Sequence, residues 1–461
     1  MTRDRFDVAI VGAGASGTLV AVQLLLQARE PVRIALVERA RPVGRGLAYS
    51  TPSPSHRLNV PAGKMSGLPG DMGHFLRWLR RTDPEAAAHE FVPRSRYGEY
   101  LACLLEETEG PSSSRLERVE ADVQGLDRAA DGSVVVRLAA GTELLAERVV
   151  LAMGNLDPLD PSCASPDLLR SARYVRNPWS PRAFEGLDPQ APVLLVGTGL
   201  TAIDVALSLR DAGHRGPIHA ISRHGLLPAP HEAAQPWSLR RDLLALPARA
   251  DVLLHAIRQE VADARGNWRA VIDALRPHTA ELWMRLPREE RRRFLRHART
   301  YWEVHRHRMA PEVAAAVAGL RASGQLQIRA AHFRSMGLGP DGAVVEMRPR
   351  GAAGTERLEV ARVLNCTGPN VNVRREHDPF VAGLYAGGWI RPHPLGLGVC
   401  TAADASVLDA AGRPQRDLFA IGPLRRGDLW ETTAIPEIRV QAETLAAQLL
   451  ASLGRVAEAF A

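Results

Sequence analysis

The stretch that most constrains this chain is residues 7–38, DVAIVGAGASGTLVAVQLLLQAREPVRIALVE. Its apolar run at 8–11 ends in glycines and reads as a buried parallel strand. Gly12, Gly14 and Gly17 follow as G-x-G-x-x-G. A helix is expected over 18–26 and a second strand over 32–37, ending in Glu38. Gly12 permits the tight turn, Gly14 lets the backbone approach a pyrophosphate, and Gly17 lets the helix pack close to the strand. The helix N-terminus then presents free N–H groups and a positive dipole end to phosphates. Glu38 lies about 20 residues on, where an acid takes ribose hydroxyls in such folds. Its carboxylate repels a 2′-phosphate, so this site suits FAD or NAD and not NADP. A lone G-x-G-x-x-G is a weak signal. Strand, helix and terminal acid in sequence make it a dinucleotide site.

The remaining bounds are broad. A chain of 461 residues can bury a sizeable core in two or three domains. No apolar run approaches the roughly 18 residues of a membrane span, and the first apolar stretch is the strand itself, so no signal peptide is expected. Cys103, Cys163, Cys366 and Cys400 are scattered without a C-x-x-C or a metal-ligand spacing. A cytoplasmic protein is expected, and a dithiol-disulfide reductase is disfavoured. The net charge of +7 is carried almost entirely by dispersed arginine, densest at 288–299, with no nucleic-acid motif beside it. An anionic substrate or NADPH is the better use for that charge. Against this bias Lys64, the only lysine, stands out. A compact ammonium is not interchangeable with guanidinium, which makes Lys64 a candidate functional residue.

Along the chain, GRGLAYS at 44–50 and HRLNVPAGKM at 56–65 are loops too long for plain connectors. Helical spacing of Phe75, Trp78 and Leu79 marks a core helix over 71–79, and another runs from 91 to about 107. Residues 118–138 alternate like a hairpin around Asp131-Gly132. Residues 147–154, ERVVLAMG, form a strand ending in a small-residue turn at Ala152 and Gly154. The proline-punctuated 157–161 reads as a domain crossing. A second strand, glycine turn and helix follow at 192–209, with Gly197, Thr198, Gly199, Leu200, Thr201 and Ala202 at the turn. The next strand ends in Ser222-Arg223-His224 instead of an acid. A hydroxyl and a guanidinium complement a 2′-phosphate, so this second site favours NADPH over NADH. A degenerate turn without a ligand is the alternative. Residues 230–323 shift to Arg, Leu, Ala and Trp at helical periods and fit about four helices, including 288–299 and 301–309. The histidines at 305 and 307 do not share a helix face, so no metal site is expected. Strand character returns at 324–331 and 343–347. RVLNCTGP at 362–369 mirrors ERVVLAMG and brings in Gly368. Cys366 there has no histidine at a recognisable offset and is expected to be a buried small hydrophobe. The last pattern, 417–439, is strand, glycine turn at Gly422, loop and helix.

These marks, GAGASG, GRGLAYST with LNVPAGKMS, FVPRSRYGEYL, GTGLTAIDVAL, ISRHGLLP, NCTGP and GPLRRGDLWETTAIPEIR, cover nearly the whole chain. Together they resemble the FAD-NAD(P)-binding oxidoreductase family, whose layout is similar to class B flavin monooxygenases and amino-acid N-hydroxylases. The resemblance implies an α/β fold of two Rossmann-like dinucleotide-binding domains, for FAD and NADPH, with a helical insertion. It implies an FAD domain over 1–160 and 365–461, an NADPH domain over 161–229 and 324–364, and the insertion over 230–323. Gly12, Gly14, Gly17 and Glu38, with Ala15, Ser16, Arg39, Arg45, Val123, Ala152 and Gly154 around them, would hold the ADP half of FAD. Asn59, Lys64 and Met65 would lie near the flavin, and Gly422, Pro423, Thr433 and Ile435 would approach its ribityl chain and ring. Gly197, Thr198, Gly199, Leu200, Thr201, Ser222, Arg223 and Gly368 would hold NADPH. Two departures stand out. Pro423 replaces the aspartate that usually follows the last glycine, and RYVRNPW at 173–179 lacks the histidine of Baeyer–Villiger fingerprints.

The activity this implies is an NADPH-dependent FAD monooxygenase. A C4a-hydroperoxyflavin formed with O2 would pass oxygen to a small nucleophilic substrate, foremost an amine or amino acid. The flavin carries the chemistry while the protein excludes water and fixes geometry, so no acid-base dyad is required. Lys64 is the first candidate for holding substrate, with Arg306 and Trp430 behind it. No nucleic-acid or membrane partner is expected. A reductase passing electrons to another acceptor, and a non-catalytic flavin-binding sensor, are the alternatives.

Overall fold

The structure is a computed structural model that describes residues 4–39 and 42–455. The chain divides into two compact units. The first comprises residues up to 52, 60–156 and from 371 onward, and the second comprises 53–59 and 157–370.

In the first unit the apolar run forms the strand Asp4–Val11, paired in parallel on one side with Arg33–Glu38 and on the other with Glu143–Leu151. Arg115–Glu120 extends the sheet beyond Arg33–Glu38, and Pro414–Ala420 extends it beyond Glu143–Leu151, both in parallel. Val8, Ala9 and Ile10 are fully buried, as a strand covered on both faces requires. The helix Ala15–Gln27 packs on one face with Ile435–Ser452 and Arg94–Glu109. Phe380, Val381 and Leu384 of the helix Pro379–Ala386 join the core on the side of the antiparallel strands. The hairpin expected over 118–138 is shorter. Its strands are Val123–Arg128 and Val134–Leu138, while residues 118–120 belong to the parallel strand. Alternation alone could not separate the two, because Ala121 breaks the run by donating its N–H to the Glu38 carbonyl.

The second unit repeats the plan. Val193–Val196 lies between Ile218–Ser222 and Arg362–Asn365, all parallel, with Leu326–Leu338 beside Ile218–Ser222. The second half of Leu326–Leu338 turns to antiparallel pairing with Ala343–Pro349, which pairs with Glu356–Val360. Helices between 250 and 322 stand between the strands Ile218–Ser222 and Leu326–Leu338. The two foreseen around residue 300 run Arg288–His297 and Arg299–Arg306. The segment 230–249, foreseen as helical, is irregular. It is pinned by Glu260, which is fully buried and accepts hydrogen bonds from Trp237 Nε1, the Arg240 and Arg241 backbone N–H groups and the Arg241 guanidinium. Burial alone would raise this carboxyl. The converging donors outweigh it and hold the pKa below the usual glutamate value.

Candidate nucleotide-binding sites

In the first unit the glycine turn is closed from both neighbouring strands. Gly12 donates its N–H to the Val37 carbonyl at 2.8 Å and adopts φ +103°, and a Cβ there would stand 2.5 Å from the Ala152 carbonyl oxygen. A Cβ on Gly17 would run into the Gly12 carbonyl oxygen, so this glycine sets how closely the helix meets the strand. The helix start at Gly14 has no side-chain cap and no acid in its first turn, which leaves donors for an anion. Glu38 braces the turn while staying half exposed: Oε2 accepts from Ala13 N at 2.9 Å and Oε1 from Arg39 N at 3.1 Å. Its remaining lone pairs suit ribose hydroxyls. The Arg39 guanidinium turns to Asp122 and Asp378 at the surface.

Three further segments reach this turn. Gly44 donates to the Ala13 carbonyl at 2.9 Å, and Gly46 Cα lies 3.4 Å from where a Cβ on Gly14 would be. Residues 44–49, including Arg45, therefore fold back over the glycines, and Tyr49 packs on Tyr97 with ring centroids 4.9 Å apart. Ala152 donates to the Val11 carbonyl, which places Gly154 just beyond the strand ends, and Val123 opens the antiparallel pair nearby. Gly422 touches the first helix, since a Cβ on it would lie 2.7 Å from Ser16 Oγ.

After Gly422 and Pro423 the chain runs through a short turn to Ile435, where the last helix begins. Thr433 in this turn is exposed, and its neighbour Thr432 is fully buried. Its hydroxyl donates to the Gly422 carbonyl at 2.9 Å, closing the two ends of this loop on each other. Trp430 within the loop is 4% exposed and is the centre of a γ-turn, with φ 62°, ψ −62° and Glu431 N–H donating to the Leu429 carbonyl at 2.7 Å. Such a turn is strained by about 1–3 kcal/mol. The Arg426 guanidinium covers the Trp430 ring at 4.8 Å. Lys64 ends the short turn Ala62–Lys64 with its side chain exposed, while Met65 is buried. Arg439, on the last helix and missed in the sequence, holds this turn by donating to the carbonyls of Ser66 at 2.9 Å and Lys64 at 3.4 Å. Asn59 belongs to the second unit, its carbonyl accepting from His231 Nε2 at 3.0 Å. In the same segment His56 is buried, with Nε2 donating to the Asp204 carbonyl at 3.0 Å and 2.8 Å from Ser208 Oγ.

The second unit carries the second turn. Gly197 donates to the Ile221 carbonyl at 2.8 Å with φ +124°, and a Cβ would collide with the Cys366 carbonyl oxygen. Gly199 begins the helix Leu200–Asp211 with no side-chain cap and open space around it, and Thr201 follows in the first turn. Gly368 lies in the loop after Arg362–Asn365 with nothing close. Cys366 is 3% exposed, and burial pushes its thiol far above the ordinary range, so it remains a neutral small hydrophobe.

Ser222 is engaged within its own turn. The Thr198 hydroxyl donates to the Leu226 carbonyl at 2.6 Å, so in the 2.8 Å contact with Ser222 Oγ the serine is the donor. Gly225 N–H donates to the same Ser222 oxygen at 3.0 Å. With its proton spent, Ser222 shapes the turn, and the exposed Arg223 is left as the group suited to a phosphate. Arg306, offered as a pocket residue, is 7% exposed within the insertion, near Arg308, which pairs with Asp273.

Residues 9–156 match the family model of FAD-NAD(P)-binding domains. An uncharacterized protein of Mycobacterium tuberculosis is 25% identical over an alignment 534 positions long, covering 99% of this chain and 97% of the relative. Among solved structures the chain is similar to L-lysine 6-monooxygenase from Pseudomonas syringae, with 17% identity, a TM-score of 0.67 and coverage of 97% and 100% of the two chains. It is also similar to the Kutzneria ornithine N-hydroxylase with reduced FAD, NADP+ and L-ornithine, with 14% identity, a TM-score of 0.65 and coverage of 96% and 99%. The fold is that of a flavoprotein with two dinucleotide-binding domains.

Proposed function

We propose that this chain is an FAD- and NADPH-dependent monooxygenase that transfers oxygen to a small nucleophilic substrate, foremost the amine of an amino acid or diamine. The observation that carries this reading is the pair of glycine cradles with opposite chemistry beside them, Glu38 at one and Arg223 at the other, within a chain that aligns end to end with N-hydroxylases. The first cradle fits FAD: it offers an uncapped helix start, an acid for ribose hydroxyls, and a third loop at Gly422 brought against Ser16. Flavin reduced by NADPH and exposed to O2 supplies the oxygen-transfer chemistry. The protein's share is to hold the nucleotides, orient the substrate amine and exclude water. Lys64, exposed on the turn that Arg439 ties to the last helix, is assigned to a substrate carboxylate. A disulfide reductase is disfavoured because Cys103, Cys163, Cys366 and Cys400 are scattered without a C-x-x-C pair.

The test is rapid mixing of NADPH-reduced, flavin-loaded protein with oxygen. A delayed return of the oxidised-flavin spectrum, with no prompt hydrogen peroxide and with N-hydroxylated product from an amino acid, supports the oxygenase. Immediate reoxidation with stoichiometric peroxide, unchanged across a panel of amines and amino acids, sinks it in favour of a reductase. Lys64→Ala is expected to raise KM for a carboxylate-bearing substrate about tenfold with kcat little changed.

A further inference from the structure

The register of the second sheet brings distant cations to one edge. Ser222, the last residue of its strand, pairs with Ala330 of the neighbouring strand, and Arg350 N–H donates to the Ala330 carbonyl at 2.8 Å. Ser222, Ala330 and Arg350 therefore stand in one line across three adjacent chain segments. Past Ser222 the chain turns over this line, since a Cβ on Gly225 would lie 3.0 Å from Ala330 N. His332 is two residues beyond Ala330 on the same strand, and so on the same face. Arg223, His332 and Arg350 are exposed and His224 is half-buried. The groups whose charge acts on the His224 ring are Arg223 from its own turn, His332 from the long strand and Arg350 from the end of the meander. All three are cationic or basic. Burial, and then these neighbours, lower its pKa below the usual histidine value. Its Nδ1 is buried without a hydrogen-bond partner, and Tyr301 of the insertion stands with its ring centroid 6.0 Å away. The nearby acids have other partners: Glu356 pairs with Arg329, and Glu346 accepts from Ser335.

Clustered cations repel one another until an anion joins them. With the Ser222 proton spent, the strand end alone offers one guanidinium for a dianion. We propose that Arg350 and His332, together with Arg223 and His224, form the site for a phosphomonoester dianion, the 2′-phosphate of NADPH. The antiparallel meander thereby decides NADPH against NADH. This rests on the reading of the second turn as a nicotinamide-nucleotide site, and it is independent of whether the flavin goes on to transfer oxygen. Bound phosphate favours the protonated His224 imidazole, so affinity for the dianion rises as pH falls from neutrality toward the depressed His224 range.

The experiment is calorimetric titration of the full-length, flavin-loaded protein with adenosine 2′,5′-bisphosphate and, separately, with AMP. In the wild type the bisphosphate is expected to bind at least tenfold tighter than AMP, and more tightly at pH 6 than at pH 8. Arg350→Gln should weaken the bisphosphate about tenfold and His332→Asn about threefold, with AMP affinity, flavin content and Tm unchanged. Arg350→Lys should recover most of the loss. Equal binding of the two ligands by wild type, or variants that weaken both equally or neither, overturns the proposal. Loss of flavin or of AMP binding in wild type would instead count against the two-nucleotide reading, so the failures are distinguishable.

Discussion

At Gly12 the chain is held between Val37 and Ala152, and at Gly197 between Ile221 and Cys366, by the same two kinds of contact. The turns then diverge at their third position. Gly17 has no room for a methyl group, whereas Ala202 carries one at 1% exposure. They diverge again at the end of the following strand. Glu38 braces the first turn through a backbone N–H and keeps lone pairs for hydroxyl donors, while Ser222 braces the second and keeps nothing to donate. One backbone solution thus serves two ligands. The difference between them is set by a few atoms at the strand ends: acceptors for a ribose diol, cations for a phosphate.

The sharpest way to break this comparison is Gly17→Ala. Its methyl meets a backbone oxygen that no rotamer change relieves, so a loss of about 3 kcal/mol and protein purified without flavin are expected. Thermal unfolding and the flavin-to-protein absorbance ratio check this. Normal flavin content would mean that the two third positions are equivalent after all. Next in size is Gly197→Ala, at φ +124° and against the Cys366 carbonyl. NADPH affinity should fall at least tenfold while flavin stays bound, as titration and absorbance would show. The smallest effects sharpen the strand-end contrast. Arg223→Ala should weaken NADPH about tenfold and leave NADH alone. Ser222→Ala should cost about 1 kcal/mol of stability and shift both nucleotides equally, because it touches the turn and not the phosphate.

Much of the fold was legible because its signals are local. A G-x-G-x-x-G between an apolar run and an apolar helix names strand, turn and helix at once, and Phe75, Trp78 and Leu79 fell in the core at their helical spacing. The irregular segment 230–249 was not legible, since what holds it are side chains of later helices, among them Glu260, Arg269 and Arg285. The structural part of Thr432 was not legible, because adjacent threonines in a loop carry no period and only the closure onto Gly422 distinguishes them. His56 and Asn59 were read with the flavin loops. Hydrogen bonds between this segment and Asp204, Arg210, Asp211 and His231 tie it to the second unit.

What the sequence by itself determined is the pair of glycine turns and the residue type ending each following strand. A positive φ, a close approach and a charge are properties of one residue and its immediate neighbours. What only the tertiary structure decided is the use of those residues. The Ser222 proton is counted only once Thr198 and Leu226 are in place, and Arg350 reaches the strand end only through the register at Ala330. Hydrogen-bond partners and register join residues far apart in the chain, and no local pattern encodes which of them will meet.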